Sequence, residues 1–453
     1  MQKLTLAQLS HLAKLPLPTN VDPSLLIAGF AVDSRLIKPQ ELFFALPGAK
    51  VDGHTFLQVA AEKKSIAAVV KSDYTGPDYG LPLIFVQDPL DTLQTLAREF
   101  LKTRPAKIVG VTGSLGKTTT KEFIKTLLST KYRVFASPGN SNSKIGLPLA
   151  ILNHMPHDAE IAVLEMGMTH SGQISKLVEI APPDVAIITT VALVHAANFN
   201  SLQEIAESKA EIFSHPKTKT GIVARDIEHF EVVQQKGFCS KISFSTKQRD
   251  ATFFLEEGTD QMRIHHRDGV VMLPVLNIPG AHNPHNLLGA IAVARTFGVD
   301  WKEIQNAIAT LKLPERRLEH IERYGILFVN DSYNAAEMSV KSSLTSLPHP
   351  KAGKKRIAII GEMPELGKFS EACHQAVGEM SLNCVDSMIC LGAACGPIVS
   401  CWKQAQKPVV WCNHLREVVE SLREQVDEGD VVLLKGANRI ELWQVLKELD
   451  EST

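Results

Sequence analysis

The apolar run at residues 107–112, Lys-Ile-Val-Gly-Val-Thr, stops at Gly113-Ser-Leu-Gly-Lys-Thr-Thr-Thr120, and apolar side chains then recur at 123, 124, 127 and 128. This pattern constrains the fold more tightly than any other stretch. A strand must run into a turn with unusual backbone freedom, and the turn must open a helix. Gly113 and Gly116 let consecutive N–H groups converge on one concavity with no Cβ in the way. The helix start adds partial positive charge. Lys117 stands within reach of β- and γ-phosphates, and the Thr118 hydroxyl is placed for Mg²⁺. With Ser114, Leu115 and Thr119, the loop is expected to cradle a nucleoside triphosphate. The strict form of the motif has glycine at position 111, where this chain has Val111. The strand–loop–helix context, rather than the spacing alone, separates this site from a chance Gly-Lys-Thr at a helix start.

Such a loop belongs to a parallel sheet covered on both faces, and the flanking sequence agrees. Continuous apolar runs at 160–165, 185–190 and 221–224 alternate with helical stretches. Residues 240–276 break that rhythm into short β runs with Arg267-Asp268-Gly269 as a hairpin turn, and are expected to form a small antiparallel insertion. Upstream, β runs at 41–46 and 67–70 flank a helical stretch at 56–63, and a loop follows at 73–82. Downstream, runs at 326–329, 356–360, 387–391, 409–411 and 431–434 alternate with helices near 335–346, 369–381, 414–426 and 440–449. The chain of 453 residues is therefore expected to be α/β throughout, with a small N-terminal α/β domain (1–85), a central P-loop parallel-sheet domain (86–313) and a C-terminal doubly wound, Rossmann-like domain (314–453).

Composition narrows the function classes. With 48 basic and 49 acidic residues and a net charge of −1, no global field favours nucleic acid or an anionic membrane. The seven cysteines include no Cys-x-x-Cys pair, which favours reduced thiols over disulfides or zinc. The N-terminal residues lack a signal pattern, and no apolar run reaches the roughly 18–20 residues needed to span a bilayer. A cytoplasmic protein without membrane insertion is expected.

Three residues outside the loop draw attention. Glu165 ends an apolar strand, on the sheet edge where the P-loop lies, and suits a metal ligand as well as an ordinary strand-end acid. His195 follows the next strand in a loop and carries little weight alone. Lys209 fills the gap in the apolar stripe 202, 205, 206, 212 and 213, while Glu204, Glu207 and Glu211 lie elsewhere around the helix. An inward ammonium is costly unless paired or neutral, although a long lysine can also snorkel.

Taken together, Thr-Gly-Ser-Leu-Gly-Lys-Thr-Thr-Thr at 112–120, Glu165 in Leu-Glu-Met-Gly, His195, and Lys209 in Glu-Ser-Lys-Ala-Glu-Ile resemble the Mur ligases and folylpolyglutamate synthetases, and the likeness runs almost end to end. The resemblance implies a three-domain, ATP-dependent amide ligase. Asp33-Ser34-Arg35 and Asp52-Gly-His54 look like the uridine-nucleotide-binding elements. Asn140 and Asn142 look like the substrate loop, Asn283 like the adenine-side motif, and Arg317 and Asp331 like residues that the C-terminal domain brings to ATP. Lys121-Glu122, Asp331-Ser-Tyr-Asn-Ala335, Met363-Pro-Glu-Leu-Gly367 and Lys435-Gly436 point to the member that joins D-alanyl-D-alanine to UDP-N-acetylmuramoyl-tripeptide. That resemblance further implies two Mg²⁺ ions, one held by Thr118 and Glu165 and one by His195 and Lys209, the lysine as a carbamate. Ala197, Asn330, Ala336-Glu337 and Ala437 depart from the family pattern. A monomer is expected. The alternatives are another amide ligase of the family, a P-loop kinase or ATPase, and a non-catalytic nucleotide-binding module.

Overall fold

A computed structural model describes residues 4–18, 21–48, 51–194 and 196–450. Three sheets carry the chain, one per domain. In the first, Gly29–Ala31, Glu41–Phe44, Ala67–Lys71 and Leu83–Val86 pair in sequence order, all parallel. Side chains alternate between its faces as a strand requires. Phe43, Ala68 and Val70 pack with Leu57 and Ala60 of the helix Leu57–Glu62. Leu42, Phe44 and Val69 point the other way, toward Leu93, Leu96 and Phe100 of the helix Pro89–Lys102. Asp88 caps that helix by accepting from the N–H groups of Leu90 and Asp91.

The central sheet has nine strands. From one edge they are Val134–Ala136, Ile161–Glu165, Lys107–Thr112, Val185–Ile188, Thr220–Ala224, Ser240–Ser245, Phe253–Glu257, Gln261–His266 and Gly269–Pro274. The hairpin at its end is antiparallel and turns at 267–268. The expectation of an insertion spanning 240–276 needs one correction: Ser240–Ser245 and Phe253–Glu257 run parallel and continue the main sheet. Phe244, Phe253 and Leu255 bury against the same helices as the preceding strands, which keeps them in the sheet.

The C-terminal sheet runs Glu319–Arg323, Ile326–Asp331, Val431–Lys435, Arg356–Gly361, Ser387–Leu391 and Val409–Cys412, with only the first pair antiparallel. Helices Glu337–Thr345, Ser370–Ser381 and Leu415–Gln425 match the expected positions; the helix expected at 440–449 is α only over Val445–Asp450, after the 3₁₀ turns Asn438–Ile440 and Leu442–Gln444, and Gly396–Gln404 is an additional helix. Among the described residues, no helix is long and apolar enough to cross a membrane.

Candidate functional site

The parallel register brings the chemistry to one edge. Val111 is a buried strand residue in register with Glu165, so the sharp turn begins two residues later, at Gly113. A Cβ on Gly113 would lie 1.9 Å from Thr189 Oγ1. Gly116 adopts φ +78°, and a Cβ there would meet Asn286 Oδ1 at 2.4 Å. Both positions therefore require glycine. The loop is braced from the neighbouring strand end: Ser114 N–H donates to the Thr190 carbonyl (2.8 Å) and Leu115 N–H to Thr190 Oγ1 (2.8 Å). Its remaining groups open onto a cleft of about 630 Å³ lined by residues of the central and C-terminal domains.

Lys117 Nζ folds back to donate to the carbonyls of Gly113 (2.8 Å) and Ser114 (3.1 Å). Burial lowers its pKa; the nearby Glu165 carboxylate opposes that shift and the Arg317 guanidinium reinforces it. The Thr118 hydroxyl donates to Glu165 Oε2 at 2.9 Å, and Asn142 Nδ2 donates to Glu165 Oε1 at 2.7 Å. Glu165 is only 1% exposed, and its carboxylate is held by neutral donors. A buried carboxylate beside a hydroxyl is the oxygen-donor chemistry that a hard divalent cation uses. Thr118 and Glu165 thus fit Mg²⁺.

Lys209 lies in the last turn of the helix Leu202–Ala210, whose first turn Ser201 caps. The next turn is anchored by Glu211, which accepts from the N–H groups of Gly172 (2.7 Å) and Ser175 (3.0 Å). Lys209 is 4% exposed and lines the cleft. Burial drives its pKa well below that of an ordinary lysine, and the positive charge of Lys117 adds to the effect. His195 lies outside the described residues.

The C-terminal domain closes the other wall. Arg317 Nη2 donates to Thr118 Oγ1 at 3.1 Å, and its guanidinium carbon stands 4.3 Å from the Tyr333 ring centroid. Among the described residues, Arg317 Nε is buried without a partner. Asp331 forms a buried ion pair with Lys435 at 2.6 Å and accepts from Ser343 Oγ at 2.5 Å. Asn140 and Asn142 line the cleft.

Other expected residues sit elsewhere. Asn283 is fully buried at a helix start, donating to the Pro279 carbonyl and accepting from Asn286 Nδ2. Asn286, three residues on, is the asparagine at Gly116; the i, i+3 spacing that puts both on one helix face was the available signal. Ser34 is buried in the N-terminal domain, while Arg35 is exposed and paired with Asp33 at 2.6 Å; neither lines the cleft. Nearby, His54 donates from Nδ1 to Asp52 (2.6 Å), because its Nε2 accepts from Lys71 N–H. Tyr333, Lys435 and Lys121 complete the surroundings and were not among the expected site residues.

Comparisons with known proteins agree with this architecture. Three family models match in succession: the Mur ligase family catalytic domain over residues 26–100, the Mur ligase middle domain over 111–294, and the Mur ligase glutamate ligase domain over 316–438. The chain is 32% identical to the UDP-N-acetylmuramoyl-tripeptide–D-alanyl-D-alanine ligase of Bacillus subtilis, covering 100% of this chain and 99% of that protein. It is also 32% identical to the enzyme of the same name from Treponema pallidum, over 91% and 92% of the two chains. Among solved structures, the MurF ligase of Thermotoga maritima in complex with ADP superposes with a TM-score of 0.77 at 28% identity, covering 93% of this chain and 97% of that one. MurF from Acinetobacter baumannii shares the fold at 22% identity, with a TM-score of 0.87 over the whole of both chains.

Proposed function

The chain belongs to the Mur ligase family, and from that premise we propose that it joins D-alanyl-D-alanine to UDP-N-acetylmuramoyl-tripeptide at the expense of ATP. The observation that carries this reading is the contact between Arg317 and Thr118, which puts a C-terminal cation and the P-loop in one cleft. Full-length likeness to ligases that carry the dipeptide in their names supports this acceptor over the single amino acids used elsewhere in the family.

In the proposed reaction, the terminal carboxylate of the tripeptide attacks the γ-phosphorus of ATP. The bond from phosphorus to the bridging oxygen breaks, and ADP leaves with that electron pair. The dipeptide amine then attacks the acyl carbon, inorganic phosphate departs, and the amine loses a proton. Negative charge builds on the transferring group in the first step. Lys117 and Arg317 are the cations placed to meet it. Thr118 and Glu165 would hold Mg²⁺, which neutralises phosphate charge when bound. Asn140 and Asn142 face the carboxylate substrate, and Asp331 orients Lys435 at the nucleotide side. Asn283 supports the adenine side through Asn286, and Ser34 and Arg35 hold the uridine nucleotide.

Lys209 is read as a carbamate. Its burial favours the neutral amine, which attacks CO₂ to give the carbamate anion and one released proton. The anion, with His195, would serve a second Mg²⁺. A cytoplasmic location and a monomeric state belong to the same reading. An isotope experiment tests the reaction class: heavy oxygen in the tripeptide's terminal carboxylate should appear in inorganic phosphate. Release of that oxygen to water, with none in phosphate, would exclude the acyl phosphate.

A further inference from the structure

Lys121 lies one helical turn beyond Lys117 and is fully buried, at 0% exposure. Its Nζ donates to the carbonyls of Ser137 (2.5 Å) and Gly139 (2.9 Å) and stands 3.3 Å from Glu122 Oε1. Those carbonyls begin the loop that leaves the strand Val134–Ala136. The same loop reaches Glu165 twice. Ser137 Oγ accepts from Glu165 N–H at 3.1 Å, and Asn142 Nδ2 donates to Glu165 Oε1 at 2.7 Å. It is also tied to the following turn, where the Asn142 carbonyl accepts from Gly167 N–H at 2.8 Å.

A buried ammonium is a poor choice for stability alone, because an apolar side chain of similar volume often serves as well. Here it meets a geometric need. The carbonyl of fully buried Ser137 requires a donor with long reach, and the carbonyl of Gly139, at the exposed turn that follows, converges on the same Nζ. The loop also turns left-handed at Gly139, φ +52°, so its course depends on contacts made from outside it.

We propose that Lys121 is a positioning residue: by pinning the carbonyls of Ser137 and Gly139 it sets Asn142 against Glu165 and fixes the carboxylate that faces the metal. This rests on the reading of Thr118 and Glu165 as Mg²⁺ ligands. The effect travels from the P-loop helix through backbone carbonyls to an amide and then to a carboxylate, so Lys121 acts without touching nucleotide or substrate.

The test is Mn²⁺ binding followed by electron paramagnetic resonance, with a non-hydrolysable ATP analogue present. The proteins are the full-length wild type, Lys121→Met, Asn142→Ala, the double variant and Glu165→Ala. Each of the first two single variants should bind Mn²⁺ about tenfold more weakly, the scale seen when partners of a metal ligand are removed. The double variant should be no weaker than the worse single one, because both changes cut one chain of contacts. In turnover, kcat should fall while KM for ATP holds. Wild-type Mn²⁺ affinity in Lys121→Met, or losses that multiply in the double variant, would overturn the proposal while a weakened Glu165→Ala preserved the metal reading. Unchanged Mn²⁺ binding in Glu165→Ala would refute both. Should Lys121→Met fail to fold, Asn142→Ala at the cleft wall reads the last link by itself, and unchanged affinity there would equally overturn the proposal.

Discussion

The two seams that join the central domain to its neighbours are built from opposite chemistry. On the N-terminal side, Leu42, Phe44 and Val69 of the first sheet enter one continuous apolar core with Leu93, Leu96, Phe100, Leu147 and Ile151 of the central domain. Asn153 adds paired hydrogen bonds to the backbone of Phe30. On the C-terminal side the contacts are mostly polar: Arg317 to Thr118, His282 to Ser342, Ala197 N–H to the Glu365 carbonyl, and Lys368 to the Asn200 carbonyl. The apolar part there is a small group of Ala192, Val194, Ala336 and Leu115, with half-buried Leu193 and Phe369 packed against the cores on both sides. Buried apolar area resists separation at about 25 cal/mol per Å². Polar contacts exchange with water at a net of about 1 kcal/mol each. The first seam is therefore the stiffer joint, and the second is the one expected to open and close with substrates. Lys117 and Glu165 from one side of the second seam and Arg317 from the other line the same cleft.

The sharpest way to strain this contrast is at the cleft itself. Lys117→Ala should reduce ATP turnover by about 10³-fold or more, since charge stabilisation dominates phosphoryl transfer. Circular dichroism should show an intact fold, because among the described residues the lysine's hydrogen bonds go to its own loop. A folded variant with near-normal ADP release would mean that this loop is not the catalytic one. Next, one change at each seam should separate activity from stability. Arg317→Ala should lower kcat by about 10²–10³-fold with little change in thermal midpoint. Leu96→Ala, at a fully buried position, should cost about 2–5 kcal/mol of stability and leave kcat of the folded protein near normal. The reverse pattern would dissolve the distinction between the seams.

Lys209 sharpens the comparison from the central side. Lys209→Ala should lose about 10²-fold in ligation but retain ATP affinity, because the P-loop is untouched. Formate or acetate should restore part of the activity by returning an anion to the space. Lys209→Arg should not respond, since a guanidinium stays charged and forms no carbamate. Wild-type turnover by Lys209→Ala would leave the residue as a buried lysine without a chemical role. The smallest signal is expected in solution scattering. Saturation with an ATP analogue and the uridine substrate should reduce the radius of gyration as the polar seam closes. Identical profiles in every state would argue for a rigid molecule.

What the sequence made legible follows from how local each signal is. The P-loop was readable because strand, glycines, lysine and helix are contiguous. Lys209 was readable because a helix converts spacing into direction. The strand Glu319–Arg323 escaped notice: Glu-His-Ile-Glu-Arg is charged on both sides of one isoleucine and pairs only at the antiparallel edge of its sheet. The strands at 240–245 and 253–257 read as an insertion because Ser240, Lys241, Ser243, Glu256 and Glu257 interrupt their apolar runs and mask the burial that keeps them in the main sheet. Lys121 stood in plain view as part of a motif, but its partners are backbone carbonyls 16 and 18 residues away. Nothing in local periodicity encodes that contact. Asn286 was overlooked beside Asn283 because only the packing of the P-loop helix against its neighbour decides which amide meets Gly116.

The most direct measurement is acceptor competition. With ATP and UDP-N-acetylmuramoyl-tripeptide supplied, phosphate release should depend on D-alanyl-D-alanine and yield the amide product. Diaminopimelate, lysine and glutamate should leave it at background. Release driven by one of those single amino acids, with none from the dipeptide, would contradict the account and assign the cleft to a different ligation.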